Sequence, residues 1–174
     1  GDLPLALHLA GSFLETYRAD PCFGRPADFL AELRDTRLLN HPALQGQDVT
    51  PSPTNHFLHV GRTFALSYHK LEADNPVDVL AGQLLGRAAY FAPGAPIPRE
   101  LLLATLDLAH DDRAAARQAA QALNRLVNLG LLEAGALTLH RLVAAFAQTV
   151  TVDSVEAQAA VEEALLAEAR RLNK

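Results

Sequence analysis

The amino-acid sequence predicts a mainly helical fold, in which a helical bundle is followed by a winged-helix domain with one small β-hairpin. Apolar residues recur three or four positions apart through most of the 174 residues. Prolines, glycines and capping residues divide this periodicity into separate helices. One short segment near residue 135 instead alternates between apolar and polar residues, which is typical of paired strands.

Residues 1–74 are predicted to form the helical domain. Its first helix follows Asp2, which is placed to cap the helix, and its second helix opens at Pro26. The apolar spacing of residues 57–71 predicts a third helix. Residues 38–54, rich in proline, glycine and polar side chains, are predicted to form a long loop.

Residues 75–152 are predicted to form the winged-helix domain, because three helices precede the alternating segment and one follows it. Asn75 before Pro76 is a start signal for the first of these helices, since asparagine caps well and proline is tolerated in the first turn. Pro98 opens the second helix in the same way.

The third helix of this domain is predicted to run from Arg113 to Leu129. Either Asp111 or Asp112 is placed to cap its start, and Gly130 is placed to end it in the left-handed conformation. A three-helix unit of this kind leaves its third helix at the surface, where it can dock on a partner.

Residues 131–140 are predicted to form the β-hairpin. Gly135 and Ala136 divide two short segments, and Leu137 and Leu139 alternate with polar neighbours. Residues 153–174 are predicted to form a separate C-terminal helix. Ser154 would cap this helix, and its apolar side would carry the residues Val161, Leu165 and Leu172.

Composition indicates a cytoplasmic protein without a membrane segment. No apolar run approaches the roughly 18 residues that a membrane span requires, and a single cysteine fits a reducing compartment. The formal net charge of −5 lacks the basic footprint of a dedicated nucleic-acid binder. Because the sequence contains no methionine, we read it as a piece of a longer protein.

The residues that nucleotide hydrolysis requires are missing from the sequence. A P-loop ends in a lysine that follows a glycine, whereas Lys70 and Lys174, the two lysines of the chain, follow a histidine and an asparagine. Neither G-x-x-x-x-G-K-[ST] nor G-x-G-x-x-G occurs. We therefore expect that this chain is not an enzyme on its own and has no catalytic residue.

Other chemical sites are weakly indicated, and a structural role explains each of them better. His56 and His59 stand one helical turn apart and could share a zinc ion, but no further ligands accompany them. Asp111 and Asp112 superficially resemble magnesium ligands at a strand end, but a helix end followed by an aspartate cap for the next helix explains both of them. Cys22 would be a nucleophile only beside a positioned histidine.

The third helix of the winged-helix domain carries a stripe of residues that could read DNA, which we call the arginine–amide stripe. Its members are Arg113, Arg117, Gln121, Asn124 and Asn128. The opposite side carries the residues Ala116, Ala120, Leu123 and Val127. Acidic residues flank the helix, so we expect this face to be solvated or to dock on protein rather than to bind DNA. A free-standing winged-helix DNA-binding transcription regulator is therefore the alternative function.

Four segments, in order, resemble the helical (ARC) and winged-helix lid region of NB-ARC proteins, a branch of the STAND signalling ATPases. Gly1-Asp2-Leu3-Pro4-Leu5-Ala6-Leu7 resembles their G-L-P-L-A-L signature, and Leu139-His140-Arg141-Leu142-Val143 resembles their Met-His-Asp motif. The segments 96–102 and 126–132 resemble their winged-helix segments. Leu139 stands in place of methionine, Arg141 in place of aspartate, and Asp2 is inserted after the glycine.

The resemblance implies a non-catalytic lid that closes over ADP or ATP bound to a P-loop domain. Pro4 matches the proline that packs near adenine, and His140 matches the histidine that reaches the β-phosphate. The amides and dipole of the helix after His140 also favour phosphate, although packing or capping is the commoner role of such a histidine.

The same resemblance implies what surrounds the chain. Its partners would be the absent P-loop domain upstream and a repeat-containing sensor region downstream, and the parent protein would be an ATPase that can self-associate. ADP or ATP would bind to the intact parent, and we expect no nucleotide to bind tightly to this fragment. DNA is not expected to be a main partner, and no metal is expected.

Overall fold

Helices make up most of the part of the chain that the computed structural model describes, which is residues 3–20, 24–34, 63–106 and 112–173. The prediction of a mainly helical fold is therefore confirmed. Within these residues, no helix is both long enough and apolar enough to cross a membrane.

The chain divides into two compact units. The first unit holds Gly1–Lys70 together with Asn128–Leu131, and the second holds Leu71–Val127 together with Leu132–Lys174. The second unit thus includes the C-terminal helix. The domain ranges predicted from the sequence stay predictions.

The first unit contains helices α1 (Leu3–Thr16) and α2 (Pro26–Arg34), followed by a helical segment over residues 63–68, α3. Each of the three helices gives one side chain to a common core, made by Phe13, Phe29 and Leu66.

Tilted aromatic rings pack together in this core. The ring centroid of Phe13 lies 5.0 Å from that of Phe29 and 4.9 Å from that of Tyr17, with an angle of 43° between the ring planes in each pair. The Lys70 ammonium lies 5.5 Å from the centroids of Phe13 and Tyr17, within the range of a cation–π interaction. Leu7 of α1 lies outside this core and is 65% exposed.

The second unit is built around its first helix. Its helices are α4 (Pro76–Ala88), α5 (Arg99–Ala104), α6 (Arg113–Asn128), α7 (Arg141–Val150) and α8 (Ser154–Leu172). Helix α4 packs against α5, α7 and α8, and α5 also packs against α8.

An ion pair joins α4 to α6 inside this unit. Asp78, in the first turn of α4, is buried, and its Oδ1 lies 3.0 Å from Nε of Arg125 on α6. Its other oxygen accepts a hydrogen bond from the backbone N–H of Glu72 at 3.1 Å. Both oxygens of the buried carboxylate therefore have partners, which its burial requires.

Three predicted helix boundaries are confirmed. The Oδ1 of Asn75 accepts from the backbone N–H of Val77 at 2.9 Å and caps α4. Asp112 is the residue of the aspartate pair that caps α6, through its Oδ1 and the amides of residues 114 and 115, both at 2.9 Å. Gly130 has a φ of 71°, the left-handed conformation expected where the helix stops.

The predicted start and apolar side of the last helix need correction. Ser154 is the first residue of α8 and does not cap it; the capping position belongs to Asp153, whose side chain makes no capping hydrogen bond. Leu165 and Leu172, predicted to be on the buried side, are 43% and 71% exposed. Small side chains, those of Ala157 and Ala164, flank Val161 on the buried side instead, so α8 packs through a narrow face.

The predicted β-hairpin over residues 131–140 is not confirmed, because none of the described residues forms a β-strand. Single antiparallel bridges join Glu133 to Thr138 and Ile97 to Leu137. In an antiparallel ladder, the next hydrogen-bonded pair after Glu133 and Thr138 would join residue 131 to residue 140. The carbonyl of His140 instead accepts from the N–H of Ala144 at 2.9 Å, where α7 begins.

The close approach of α4 to the turn between α7 and α8 generates a stability prediction. A Cβ added at Gly86 would lie 2.6 Å from Oγ1 of Thr151, which is itself held by a hydrogen bond to the Ala147 carbonyl at 2.6 Å. We expect Gly86→Ala to lower the free energy of unfolding by about 1–3 kcal/mol in urea denaturation, because the two elements must separate.

Gly82 on the same helix is the matched control. A Cβ added there meets nothing within 4 Å, so Gly82→Ala should raise stability by roughly 0.5–1 kcal/mol through better helix propensity. If Gly86→Ala and Gly82→Ala change the free energy of unfolding equally, the contact between residue 86 and Thr151 does not limit how closely α4 packs there.

Candidate functional site

The backbone on the N-terminal side of His140 is held by a neighbouring segment. Leu139 is buried, and its carbonyl accepts from the N–H of Gly94 at 2.9 Å. Two residues earlier, Leu137 forms its bridge with Ile97. These contacts hold the segment that leads into α7, which begins at Arg141.

The side chain of His140 caps α7. Its Nδ1 accepts a hydrogen bond from the backbone N–H of Leu142 at 3.2 Å, and its carbonyl accepts from the N–H of Ala144 at 2.9 Å. The ring is half-buried. The capping role that the sequence left open for this histidine is therefore present.

This cap decides which ring nitrogen of His140 can donate to a ligand. A nitrogen that accepts a hydrogen bond carries no proton, so the neutral ring has its proton on Nε2. The Nε2–H is therefore the donor that a phosphate oxygen would meet.

The electrostatic surroundings of His140 favour an anion. The first turn of α7 contains no acidic residue, and the exposed Arg141 follows the histidine directly. The N-terminus of a helix carries a partial positive charge, to which Arg141 adds a full one.

Pro4, the second predicted binding residue, lies in the first turn of α1, where proline is tolerated. It belongs to the first unit, whereas His140 belongs to the second. Each residue is thus placed by its own unit. The predicted roles of both toward a nucleotide stay predictions.

The arginine–amide stripe lies at the surface of α6, as predicted. Its residues Arg113, Arg117, Gln121, Asn124 and Asn128 are exposed. The buried side consists of Ala119, Ala122, Leu123 and Leu126. Of the residues assigned to that side from the sequence, Ala116 is exposed, and Ala120 and Val127 are half-buried.

The remaining chemical candidates do not form a described site. Cys22, Asp111 and the pair His56 and His59 lie outside the described residues. Within those residues, no group of three or more histidines, cysteines, aspartates or glutamates is arranged to hold a metal ion.

Arg87, in the last turn of α4, is a polar residue of interest that the sequence alone did not indicate. Its Nη1 is buried and has no hydrogen-bond partner among the described residues. Burial lowers the pKa of its guanidinium, and the charge of Glu156 partly opposes this shift. In the sequence, Arg87 stands alone among apolar residues and glycine, which is the one signal that could have drawn attention to it. The burial of its side chain depends on how α8 packs, which the sequence does not show.

The cap made by His140 generates a stability prediction for this chain. We expect His140→Ala to lower the free energy of unfolding by about 0.5–2 kcal/mol, because the N–H of Leu142 loses its acceptor. His140→Asn should retain most of the stability, since the Oδ1 of asparagine is a good capping acceptor. Urea denaturation measures both variants, with Arg141→Ala at an exposed site as the control. A loss in His140→Asn as large as in His140→Ala would contradict the capping role.

Comparison with known proteins assigns no family to this chain. No protein-family model, no curated protein and no solved structure matches the chain. The cap, the exposed stripe and the charges around them are therefore the observations on which a functional proposal can rest.

Proposed function

We propose that this chain is the non-catalytic regulatory lid of a nucleotide-dependent signalling switch, and that it closes over ADP or ATP held by a P-loop domain of the parent protein. The observation that carries the proposal is the placement of His140. Its Nδ1 caps α7, which leaves the Nε2–H to donate, beside a helix N-terminus and an arginine. The order of the four family-like segments along the chain supports the same function.

We also propose that residues 75–152 form a reduced winged helix. In that fold, a short strand before the second helix pairs with the second strand of the hairpin. The bridge between Ile97 and Leu137 occupies that position, and the bridge between Glu133 and Thr138 occupies the position of the hairpin. The element order α4, α5, α6, bridged turn and α7 supports this proposal.

The proposed switch operates through a difference in nucleotide contacts between two states. In the closed state, His140 donates from Nε2 to a phosphate of ADP, and Pro4 packs near the base. Opening of the lid loses these contacts, so bound ADP shifts the equilibrium toward the closed form. The upstream P-loop domain supplies most of the affinity, the downstream sensor biases the equilibrium, and the parent acts in the cytoplasm.

Release of ADP from the intact parent tests this function. We expect both His140→Ala and His140→Asn to speed ADP release about tenfold or more, because a hydrogen bond to a charged group contributes about 1.5–3 kcal/mol. Pro4→Ala should act in the same direction but less strongly. The measurement is the off-rate of a fluorescent ADP analogue from the parent.

The asparagine variant separates the two roles of the histidine. It retains the cap on α7 and lacks the Nε2 donor, so a loss of ADP in this variant cannot come from a destabilised helix. If the parent with His140→Asn holds ADP as long as the wild type, His140 is a cap alone and the proposed contact is wrong. The isolated chain should retain no ADP in gel filtration.

A second candidate function, DNA binding, has one observation in its favour, the exposure of the whole arginine–amide stripe. Arginine, glutamine and asparagine can each make paired hydrogen bonds to base edges. Against this function, the stripe has only two arginines, and the flanking Asp112 and Glu133 are exposed as well. DNA binding therefore stays second to the lid.

Binding to random duplex DNA tests this candidate. We expect weak binding at physiological salt that falls steeply with added salt, because it consists of phosphate contacts. Replacing Arg113 and Arg117 by alanine should remove most of it, and Arg170→Ala on α8 is the control. Sequence-specific binding that survives physiological salt would place DNA recognition ahead of the lid function.

A further inference from the structure

The second unit contains a groove that the proposed lid function does not use. It lies between α5 and α8, with the end of α4 at one side, and has a volume of about 1050 Å³. That volume is at the upper end of the range for small-molecule sites, about 300–1000 Å³. The lining residues on α8 run from Glu156 to Arg171, a length of roughly 24 Å at the rise of an α-helix. A groove of this size and length fits a peptide segment.

The floor of the groove is apolar and shallow. Leu101 of α5 faces the groove beside Ala160, Ala164 and Ala167 of α8. The three alanines are spaced four and three residues apart, so they line one side of their helix. Small side chains between two packed helices leave room for the ridge of a third helix.

Among the described residues, the rim of the groove is charged, with an excess of acid. The charged residues of this part of the chain that line it are Glu100, Glu156, Glu163, Glu168, Arg87 and Arg171. Glu168 and Arg171 pair at 2.6 Å, and the charge of Glu156 acts on Arg87. Of these charged residues, Glu100 and Glu163 are the two outside such pairs. They lie on opposite walls of the groove, Glu100 on α5 and Glu163 on α8.

We infer that this groove docks an amphipathic helix whose apolar stripe is flanked on both edges by lysine or arginine. The apolar stripe would cover the alanines, and the basic residues would meet Glu100 and Glu163.

The charge arrangement selects this occupant over others of similar shape. An acidic helix would place its charges against the two glutamates, and nucleic acid would meet a rim of the same sign as its phosphates. A wholly apolar helix would leave both glutamates partly desolvated and unpaired, which costs free energy. The basic amphipathic helix has none of these penalties.

A designed peptide tests the inference with the full 174-residue chain. The probe is a helical peptide of about five turns, with leucines on one stripe and lysines on both flanks, labelled for fluorescence anisotropy. We expect it to bind, and we expect the same peptide with glutamates in place of lysines not to bind. Equal binding of the two peptides, or binding of neither, would overturn the inference.

Variants of the chain locate the site. Glu100→Gln combined with Glu163→Gln should weaken binding about fivefold or more at low salt, with a smaller difference at high salt. Glu162→Gln is the matched control, since Glu162 neighbours Glu163 on α8, is exposed and does not line the groove. Loss of binding in the control as large as in the double variant would show that overall charge, not the groove, attracts the peptide.

Filling the groove provides a test that does not depend on charge. Ala167 is exposed on the groove wall, so Ala167→Trp should fold normally and abolish peptide binding. An unchanged circular dichroism spectrum is the control for folding. Normal peptide binding by this variant would overturn the inference. The inference would also be overturned if the wild-type chain self-associates and the Ala167→Trp variant is monomeric, because a second copy of the chain would then occupy the groove.

Discussion

The carboxylate of Asp78 lies buried at the start of α4, where it accepts from Nε of Arg125 at 3.0 Å and from the N–H of Glu72 at 3.1 Å. Its side chain is 5% exposed, against 25% for Arg125. A charge buried this deeply is tolerated only with its partners in place, because removing one leaves an unpaired ion in a medium of low dielectric. The interaction therefore holds α6 and the entry to α4 in one arrangement. Since α4 packs against α5, α7 and α8, the rest of the second unit depends on it.

The side chain of His140, at the start of α7, both stabilises the fold and carries the proposed function. His140 satisfies a free amide of the helix through Nδ1, and this contact assigns its remaining proton to Nε2. The bridged segment around Leu137 holds the backbone before it, so the ring is oriented before any ligand arrives. An oriented donor loses less conformational entropy on binding than a mobile one. A capping histidine is in this sense well suited to a contact that must form and break as a lid moves.

Helix α8 offers a physical route by which a bound partner would influence the proposed lid. It lines the groove with Ala164 and Glu163 and packs against α4 through its narrow buried face. Helix α4 also packs against α7, the helix that His140 caps. A helix docked between α5 and α8 would therefore contact two helices that pack on α4, and α4 in turn contacts the helix that His140 caps. Such coupling requires that the docked partner bind the open and closed states with different affinity.

The sequence by itself determined the features that depend on neighbours along the chain. Asn75, Asp112 and Gly130 end or begin helices through contacts within a few residues, so residue type and spacing were enough to place them. The hairpin and the exposure of Leu165 were decided by the tertiary structure. The carbonyl of His140, which a longer hairpin would pair with residue 131, accepts from Ala144 as α7 begins. Likewise, Ala157 and Ala164 of α8 are buried and its leucines are exposed, because contact with α4 and α5 selects a narrow face. Periodicity alone cannot tell which of two apolar sides a neighbouring helix will cover.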